Sequence, residues 1–273
     1  MWMLLGLAAA VLAQAQEPAG AAAKPYGLPL HGEEAETFLR TAQVVDKKPI
    51  GTGVTSSMRL TLNDGVRTLR AAWKTVDYSK PGATEMAGGS FQADVRDSYK
   101  CEIAAYELDK LVGLDLVPPT VERQIEGEHG SLQLWVEGVT TEYERIHKKV
   151  RIPDPEAWNQ QMYKVRLLQR LTYDTDYQNL RNVLVDPAFR IYAIDFSRAF
   201  RKYDMIQYEK GLARFSRSAL EGLRRLDRPA LDANVGRWLS ATEIVAILKR
   251  RDRILALAQR LVADKGEEAV LYP

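Results

Sequence analysis

Residues 182–200 read NVLVDPAFRIYAIDFSRAF, and this stretch is the most informative about the fold. Two short apolar runs, 182–185 and 190–194, flank the turn-forming dipeptide Asp186-Pro187, so the pattern predicts a β-hairpin. Polar residues stand at its open end, Asn182 at the start of the first strand and Asp195 directly after the second. Because these strand ends are neighbours, we expect the two side chains to converge.

Asp195 is the strongest single candidate for a functional residue. It follows an apolar strand and precedes Phe196, and a carboxylate buried there must find strong partners, of which a divalent cation is a natural one. Carboxylate and amide oxygens are the ligands that Mg²⁺ takes in proteins. We therefore predict Asn182 and Asp195 as metal ligands; for Asn182 the competing interpretation is a cap at the strand edge.

The loop before the hairpin holds two more carboxylates. Residues 173–182 read YDTDYQNLRN, in which Asp174 and Asp176 are candidates for orienting or deprotonating a hydroxyl group during phosphoryl transfer. Asp and Asn are also common in turns, so ordinary turn chemistry is the competing interpretation. The residues alone do not choose between the two carboxylates.

A lysine and an acidic helix residue form a second candidate group. The run 68–74 is typical of a strand, and Lys74 at its end can reach a nucleotide phosphate or simply mark the exit of the strand to water. Glu102 and Glu107 lie on the next helix, predicted at 101–112. They are about 140° apart around that helix, so only one can pair with Lys74, and periodicity does not say which.

A glycine- and hydroxyl-containing loop lies between the first predicted strands, where residues 51–57 read GTGVTSS. Glycines let a backbone approach a ligand closely, and free N–H groups with hydroxyls can hold phosphate oxygens. Gly51, Gly53, Thr55 and Ser56 are therefore candidate nucleotide contacts. A loop of this composition is also common as a plain turn.

Hydrophobic periodicity divides the chain into a β-rich half and a helix-rich half, which predicts an α+β fold with two lobes. We expect a small antiparallel sheet with one helix at 41–138 and a mainly helical lobe at 139–273. Residues 79–96 have the composition of a loop. Besides the hairpin, strands are predicted at 58–62, 68–74, 116–121 and 131–136. Helices are predicted at 101–112 with Gly113 as C-cap, 157–171, 218–226 and 241–262, the last broken near 249–251.

Composition excludes several classes of function. The 273 residues carry 38 Lys and Arg against 36 Asp and Glu, a net charge of +2, so we expect no general attraction to nucleic acid. The basic run 249–253 falls in a helical pattern and is interpreted as a solvated helix face. Cys101 is the only cysteine and the three histidines are far apart, which argues against disulfides and against a zinc hydrolase.

The first fifteen residues predict a signal peptide. Their apolar run ends in Ala13-Gln14-Ala15, an A-x-A cleavage pattern, and is short for a membrane span, although no Lys or Arg precedes it. Residues 16–40 are interpreted as a flexible lead-in. No later segment reaches transmembrane length, so the mature chain is predicted to be exported, either to a periplasm or to the medium.

Taken in order, these residues resemble the atypical kinase group, which includes the phosphatidylinositol 3- and 4-kinases, the toxin kinase HipA and secretory-pathway kinases of the four-jointed type. The resemblance covers roughly residues 49–200. Its most specific parts are EIAAYELDKLVGL from residue 102, VPPT from 117, Asp176 with NVLV from 182, and IDFSRAF from 194.

The resemblance implies a kinase-like fold with ATP and Mg²⁺ or Mn²⁺ as cofactors. By it, Lys74 would contact the ATP phosphates and Glu102 would support Lys74. Asp176 would be the catalytic carboxylate, and Asn182 and Asp195 would be the metal ligands. The segment that joins the lobes near the adenine would be residues 131–138.

The loop around Asp176 departs from the pattern of that group. The group usually places its catalytic Asp five residues before the Asn, often as Asp-Arg-His, whereas Asp176 lies six before Asn182 and is followed by Tyr177-Gln178. Either Asn179 takes part or the loop carries one extra residue. Ser197 also stands where the group often has Gly.

Three functions are compatible with these residues. The leading hypothesis is an ATP- and Mg²⁺-dependent phosphotransferase acting on a hydroxyl group of a protein or a small molecule. A degenerate kinase fold that binds a nucleotide or a protein partner without transfer is the first alternative. Nucleotidyl transfer onto a protein hydroxyl is the second.

Overall fold

The computed structural model describes residues 27–51, 57–85 and 91–273, which run from a β-rich half into a helix-rich half as predicted. The strands are β1 (Gln43–Pro49), β2 (Met58–Asn63), β3 (Thr68–Lys74), β4 (Asp77–Glu85), β5 (Phe91–Ser98), β6 (Thr120–Ile125), β7 (Glu128–Leu134), β8 (Thr140–Thr141), β9 (Val183–Val185), β10 (Ile191–Ala193), β11 (Phe215–Ser216) and β12 (Leu271–Tyr272). The helices are α1 (Gly32–Thr41), α2 (Tyr99–Val112), α3 (Glu142–His147), α4 (Pro155–Thr172), α5 (Arg217–Arg225), α6 (Arg228–Val235), α7 (Ala241–Lys265) and α8 (Glu267–Val270).

The first lobe is an antiparallel sheet in the order β1-β2-β3-β7-β6. Successive side chains of a strand point to opposite faces, so Ala71 and Trp73 of β3 lie in the core, whereas Lys74 points to the other face. Gly65, at φ 90°, lies in the turn between β2 and β3. The side chains that fill the buried face include Leu60, Leu62, Ala71, Trp73, Val121, Leu132 and Leu134.

Helix α1 corrects the prediction that residues 16–40 form a flexible lead-in. It is amphipathic, and Ala35, Phe38 and Leu39 are buried against the sheet. Arg123 of β6 donates hydrogen bonds to the carbonyl oxygens of Leu39 at 2.9 Å and Ala42 at 2.7 Å, which fix the end of the helix. The predicted signal peptide and residues 16–26 lie outside the described residues.

The segment before α1 contacts both lobes. Gly27 exchanges two backbone hydrogen bonds, of 2.8 and 2.9 Å, with Glu137 in the stretch that leaves the sheet after β7. A Cβ atom on Gly27 would lie 3.1 Å from the hydroxyl of Tyr192 on β10 and 3.4 Å from Asp186 Oδ2, so this segment also touches the second lobe. Leu30 then begins the packing of the segment against the first lobe.

One loop prediction and two strand predictions in the first half were wrong or shifted. Residues 79–96 are largely the antiparallel pair β4–β5, whose register is irregular between Lys80 and Ala83, and not a loop. The predicted strands at 116–121 and 131–136 are β6 and β7, displaced along the sequence. Pro118 and Pro119 have no N–H group to donate to a ladder, so β6 begins only at Thr120.

Helix α2 connects the two lobes through its packing. Ser98 caps its first turn, and Gly113 ends it in the left-handed conformation at φ 76°, as predicted. Its buried face, which includes Cys101, Ala105 and Leu108, belongs to the large hydrophobic core formed with the helices of the second lobe. The position of α2 therefore fixes the first lobe against the second.

Helix α7 is continuous, so the predicted break near 249–251 was wrong. The interpretation of 249–253 as a solvated face was also wrong at one position, because Arg250 is fully buried. Its guanidinium donates to the carbonyl oxygens of Leu171 at 2.7 Å and Arg201 at 2.9 Å, and to that of Tyr203. Of the helices that the structure describes, none is both long and apolar enough to cross a bilayer.

Candidate active site

Three charged side chains from distant parts of the chain meet in the cleft between the lobes. The ammonium group of Lys74, at the end of β3, donates to Glu102 Oε1 on α2 at 2.5 Å and to Asp195 Oδ1 at 2.7 Å. The second oxygen of Glu102 accepts the backbone N–H of Phe196 at 3.0 Å. One buried glutamate thus holds both the lysine and the segment that carries Asp195.

Glu102, and not Glu107, is the helix residue that pairs with Lys74, which settles the choice that periodicity left open. Glu102 is 2% exposed and faces the cleft. Glu107 lies on another face of α2, where it forms an ion pair with Lys110 at 3.1 Å. Helical spacing allowed either orientation, because the choice depends on how α2 packs against the second lobe.

The mutual contacts of these groups decide their protonation. Burial acts to lower the pKa of Lys74, but the carboxylates of Glu102 and Asp195 outweigh it and raise that pKa. Burial also acts to raise the pKa of Asp195, and Lys74 overcomes it so that the pKa lies below the usual value. For Glu102 burial prevails, and its pKa is raised. The lysine and Asp195 are therefore both charged at neutral pH.

The predicted hairpin forms and brings Asn182 close to Asp195. Strands β9 and β10 pair antiparallel, with Val183 opposite Ala193, and the N–H of Ile194 donates to the carbonyl oxygen of Asn182 at 3.0 Å. Asp195 is the next residue along the chain. It has a positive φ of 64°, a conformation uncommon outside glycine, which turns its carboxylate out of the strand toward Lys74.

Asp176 is held by two amides. Its Oδ2 atom accepts from Asn179 Nδ2 at 2.9 Å and from Asn182 Nδ2 at 3.0 Å. Asn179, which the sequence offered as a possible participant, also caps the short 3-10 turn Leu180–Asn182. The extra residue of this loop is thus accommodated as a tight turn, and Asp176 and Asn182 remain in contact despite their six-residue spacing.

Asp174 is buried beneath this loop. It is 3% exposed and accepts the backbone N–H of Asp176 at 2.9 Å. Burial raises its pKa to about 7, and the nearby carboxylates of Asp176 and Asp195 act in the same direction. Its geometry is that of a side chain supporting the loop, whereas Asp176 is more exposed.

A small cleft adjoins Lys74. Most of its lining could not be predicted from the sequence, because Tyr99, Asp97 and Ser197 are brought here by tertiary contacts. One such contact is the N–H of Ser98 donating to the carbonyl oxygen of Ser197 at 3.0 Å. Of the predicted phosphate loop, Gly51 is exposed at φ 72°. Gly53, Thr55 and Ser56 lie outside the described residues.

The oxygen donors of the site fit Mg²⁺ or Mn²⁺ better than a closed structural metal site. Within residues 27–51, 57–85 and 91–273, no three His, Cys, Asp or Glu side chains converge as a metal cluster. The neighbouring Asn182 and Asp195 offer one amide and one carboxylate. Mg²⁺ is commonly bound through one or two carboxylates, with substrate phosphates and water completing its shell, so this small donor set is suitable.

Several solved structures share this fold, and kinases are among them. A structure of hydra Fam20 with sugar superposes with a TM-score of 0.62 at 14% identity, covering 86% of this chain and 90% of that chain. The Golgi casein kinase gives 0.61 at 14% identity, over 87% and 78% of the two chains. A third, the Helicobacter pylori proinflammatory kinase CtkA, gives 0.51 at 11% identity, over 83% and 98%.

These likenesses confirm the kinase-like α+β fold that the sequence predicted. At identities of 11% to 14% they concern the fold alone. No protein-family profile and no curated protein sequence matches the chain. The resemblance to phosphatidylinositol kinases and to HipA stays a prediction, as do the two lobe boundaries.

Proposed function

We propose that this chain is an ATP- and Mg²⁺- or Mn²⁺-dependent phosphotransferase that acts on a hydroxyl group of a protein or a small molecule. The observation that carries the proposal is the contact of Lys74 with both Glu102 and Asp195 across the cleft. It joins a lysine suited to phosphates to a carboxylate suited to a metal, as phosphoryl transfer requires. The Golgi casein kinase, which shares the fold, has also been solved with Mn and ADP bound.

Each residue has one role in the proposal. Lys74, oriented by Glu102, binds phosphate oxygens, and the exposed backbone of Gly51 lies in the loop that would cover them. Asn182 and Asp195 would hold the metal, which supplies charge stabilisation to the phosphates when bound. Asp176 orients the acceptor hydroxyl and accepts its proton. The amides of Asn179 and Asn182 fix the carboxylate of Asp176 for that task.

A nucleotide-binding protein without transferase activity is the second candidate. One observation favours it: Tyr177-Gln178 follow Asp176 where the kinase group often has a basic pair, so these two positions offer no cation to neutralise a phosphoryl group. Nucleotide binding through Lys74 and Asp195 is common to both candidates. The difference lies in whether phosphate reaches an acceptor.

Export is part of the proposal. It is supported by the apolar run that ends in Ala13-Gln14-Ala15, a typical cleavage pattern. Expression of the whole gene in a bacterial host, followed by N-terminal sequencing of the protein from periplasm and cytoplasm, tests it. A mature protein beginning at Gln16 is the expected result, and an intact Met1 would contradict it.

Thermal denaturation of residues 16–273 with ATP and Mg²⁺ or Mn²⁺ tests the nucleotide site. A ligand at a hundredfold excess over its Kd adds about 2.7 kcal/mol to the free energy of unfolding, which is readily measured. No metal-dependent shift with any nucleotide would overturn the proposal. Intact mass after incubation with candidate acceptors then separates phosphate transfer from nucleotidyl transfer, because AMP adds a larger increment, and no increment favours the second candidate.

A further inference from the structure

Arg170, near the end of α4, is a buried cation without a partner. Its side chain is 3% exposed, and its Nε and Nη1 atoms are buried and donate to no hydrogen-bond acceptor among the described residues. Burial lowers its pKa, and the carboxylate of Asp174 acts against that effect through its charge, without a hydrogen bond to Nε or Nη1. A buried guanidinium in this state is unfavourable by several kcal/mol, so the fold alone gives no reason to keep an arginine here.

The surroundings of Arg170 place it next to the proposed catalytic loop. Its guanidinium carbon lies 3.9 Å from the ring centroid of Tyr177, the residue after Asp176. The stacking leaves the edge of the guanidinium, with its N–H groups, unused. Arg170 therefore packs against the loop that carries Asp176.

A glycine keeps the outer side of Arg170 open. A Cβ atom on Gly211 would lie 3.6 Å from Arg170 Nη2 and 3.0 Å from the ring of Tyr208. Tyr208 is itself 64% exposed, so its ring can rotate without leaving a cavity in the core. The space beside Nη2 is therefore bordered by one small residue and one movable ring.

We propose that Arg170, together with Tyr177 and Tyr208, forms a subsite that binds an anionic group, a carboxylate or a phosphate, of the acceptor. An arginine edge binds such oxyanions through two parallel hydrogen bonds, and the aromatic ring on its face holds the plane in place. That the anion belongs to the acceptor rests on the proposed function. Binding of the anion itself does not, since Arg170 is separate from Lys74 and Asp195.

The test uses inorganic phosphate and acetate as probes, with thermal denaturation of residues 16–273 in each salt against sodium chloride at equal ionic strength. Phosphate is expected to raise the midpoint temperature of unfolding of the wild type. Arg170→Met is expected to raise the Kd for phosphate roughly tenfold or more, because a charge-assisted contact is lost. A shift with acetate as well assigns a carboxylate-binding site, and a shift with phosphate alone assigns a phosphate-binding one. No shift with either salt overturns the proposal.

Arg166, one turn earlier on α4 and stacked on Tyr163 at 5.5 Å, provides the matched control. Arg166→Met should keep the phosphate shift, and an equal loss in both variants would contradict the assignment. In the Lys74→Met protein, Mg²⁺ with ATP should no longer raise the unfolding midpoint, whereas phosphate should still raise it. This pair of results separates the inference from the proposed function. In the absence of ligand, the Arg170→Met protein should be at least as stable to unfolding as the wild type. Marked destabilisation would show that Arg170 only supports Tyr177, and this result would also overturn the proposal.

Discussion

The ammonium nitrogen of Lys74 lies 2.7 Å from Asp195 Oδ1. This ion pair joins the end of β3 to the segment directly after β10. The same nitrogen lies 2.5 Å from Glu102. One cation therefore neutralises two carboxylates, of which Glu102 is almost completely buried. Removal of the Lys74 ammonium group should therefore affect both the stability of the protein and ligand binding, and the two effects can be separated.

Lys74→Met should destabilise the protein and abolish nucleotide binding. The carboxylate of Glu102 would remain buried without its cation, which typically costs about 3–5 kcal/mol. Chemical denaturation at pH 7 measures the loss. The double variant Lys74→Met with Glu102→Gln removes the uncompensated charge and should recover much of the stability while nucleotide binding stays absent. Equal instability of the single and double variants would contradict this account of the pair.

Asp195→Asn should weaken Mg²⁺-dependent nucleotide binding and leave the fold intact. An amide is a poorer ligand for Mg²⁺ than a carboxylate and brings no charge. Calorimetric titration of ATP at several Mg²⁺ concentrations measures the effect. Asp115→Asn, which changes an exposed partner of Arg190, is the matched control. An Asp195→Asn protein with unchanged Mg²⁺ dependence would remove Asp195 as a metal ligand.

Asp176→Ala should lose phosphoryl transfer by roughly a hundredfold or more and keep nucleotide binding, because it removes the group that accepts the proton. Asp174→Asn should retain turnover, since Asp174 supports the loop from below. Rates are measured by intact mass or by release of ADP. If Asp174→Asn were the inactive variant and Asp176→Ala remained active, the catalytic role would belong to Asp174.

Asp109 should make stability depend on pH. This carboxyl is 2% exposed; burial raises its pKa from 3.8 to about 7, although the N–H groups of Leu116 and Val117 at 3.0 and 3.1 Å act to lower it. The folded protein then keeps a proton that the unfolded chain loses above pH 4. Its contribution to stability is greatest at low pH and falls, by about 4 kcal/mol at most, as the pH rises to 7.

Asp109→Asn removes this titration, so its unfolding free energy should fall less between pH 5 and 7 than that of the wild type. Urea denaturation at intervals of half a pH unit measures the two slopes. Asp264→Asn, at an exposed position of α7, serves as the control and should follow the wild type. Parallel slopes for Asp109→Asn and the wild type would show that this carboxyl is not protonated in the folded state.

Local patterns predicted the parts of the fold that depend on neighbours in sequence. The hairpin of β9 and β10 and the end of α2 at Gly113 are of this kind, because the turn residues and caps that decide them lie within a few positions. Periodicity narrowed the partner of Lys74 to two glutamates, and only the resemblance to the kinase group favoured Glu102. Which one faces the cleft depends on contacts with residues almost a hundred positions away, such as Phe196.

Predictions failed where composition hid a tertiary partner. The polar and glycine-rich composition of residues 79–96 is typical of a loop, yet these residues largely form the β4–β5 pair. Arg250 is charged, which is typical of an exposed residue, yet it is buried and donates to three carbonyl oxygens. Arg170 could not be found as a candidate, since nothing in the sequence distinguishes a buried arginine on a helix from an exposed one. The kinase-group pattern predicted roles for Asp176 and Asn182, and the structure shows these two side chains in contact across their six-residue spacing.

The backbone pairing of Gly27 with Glu137 has a mechanical consequence for the cleft. The segment at Gly27 crosses behind the connection between the lobes, with Tyr192 and Asp186 beside it on one lobe and α1 anchored on the other. Because the segment at Gly27 contacts both lobes, widening of the cleft must break its two backbone hydrogen bonds with Glu137. The angle through which the lobes can swing is therefore limited at the connection between them.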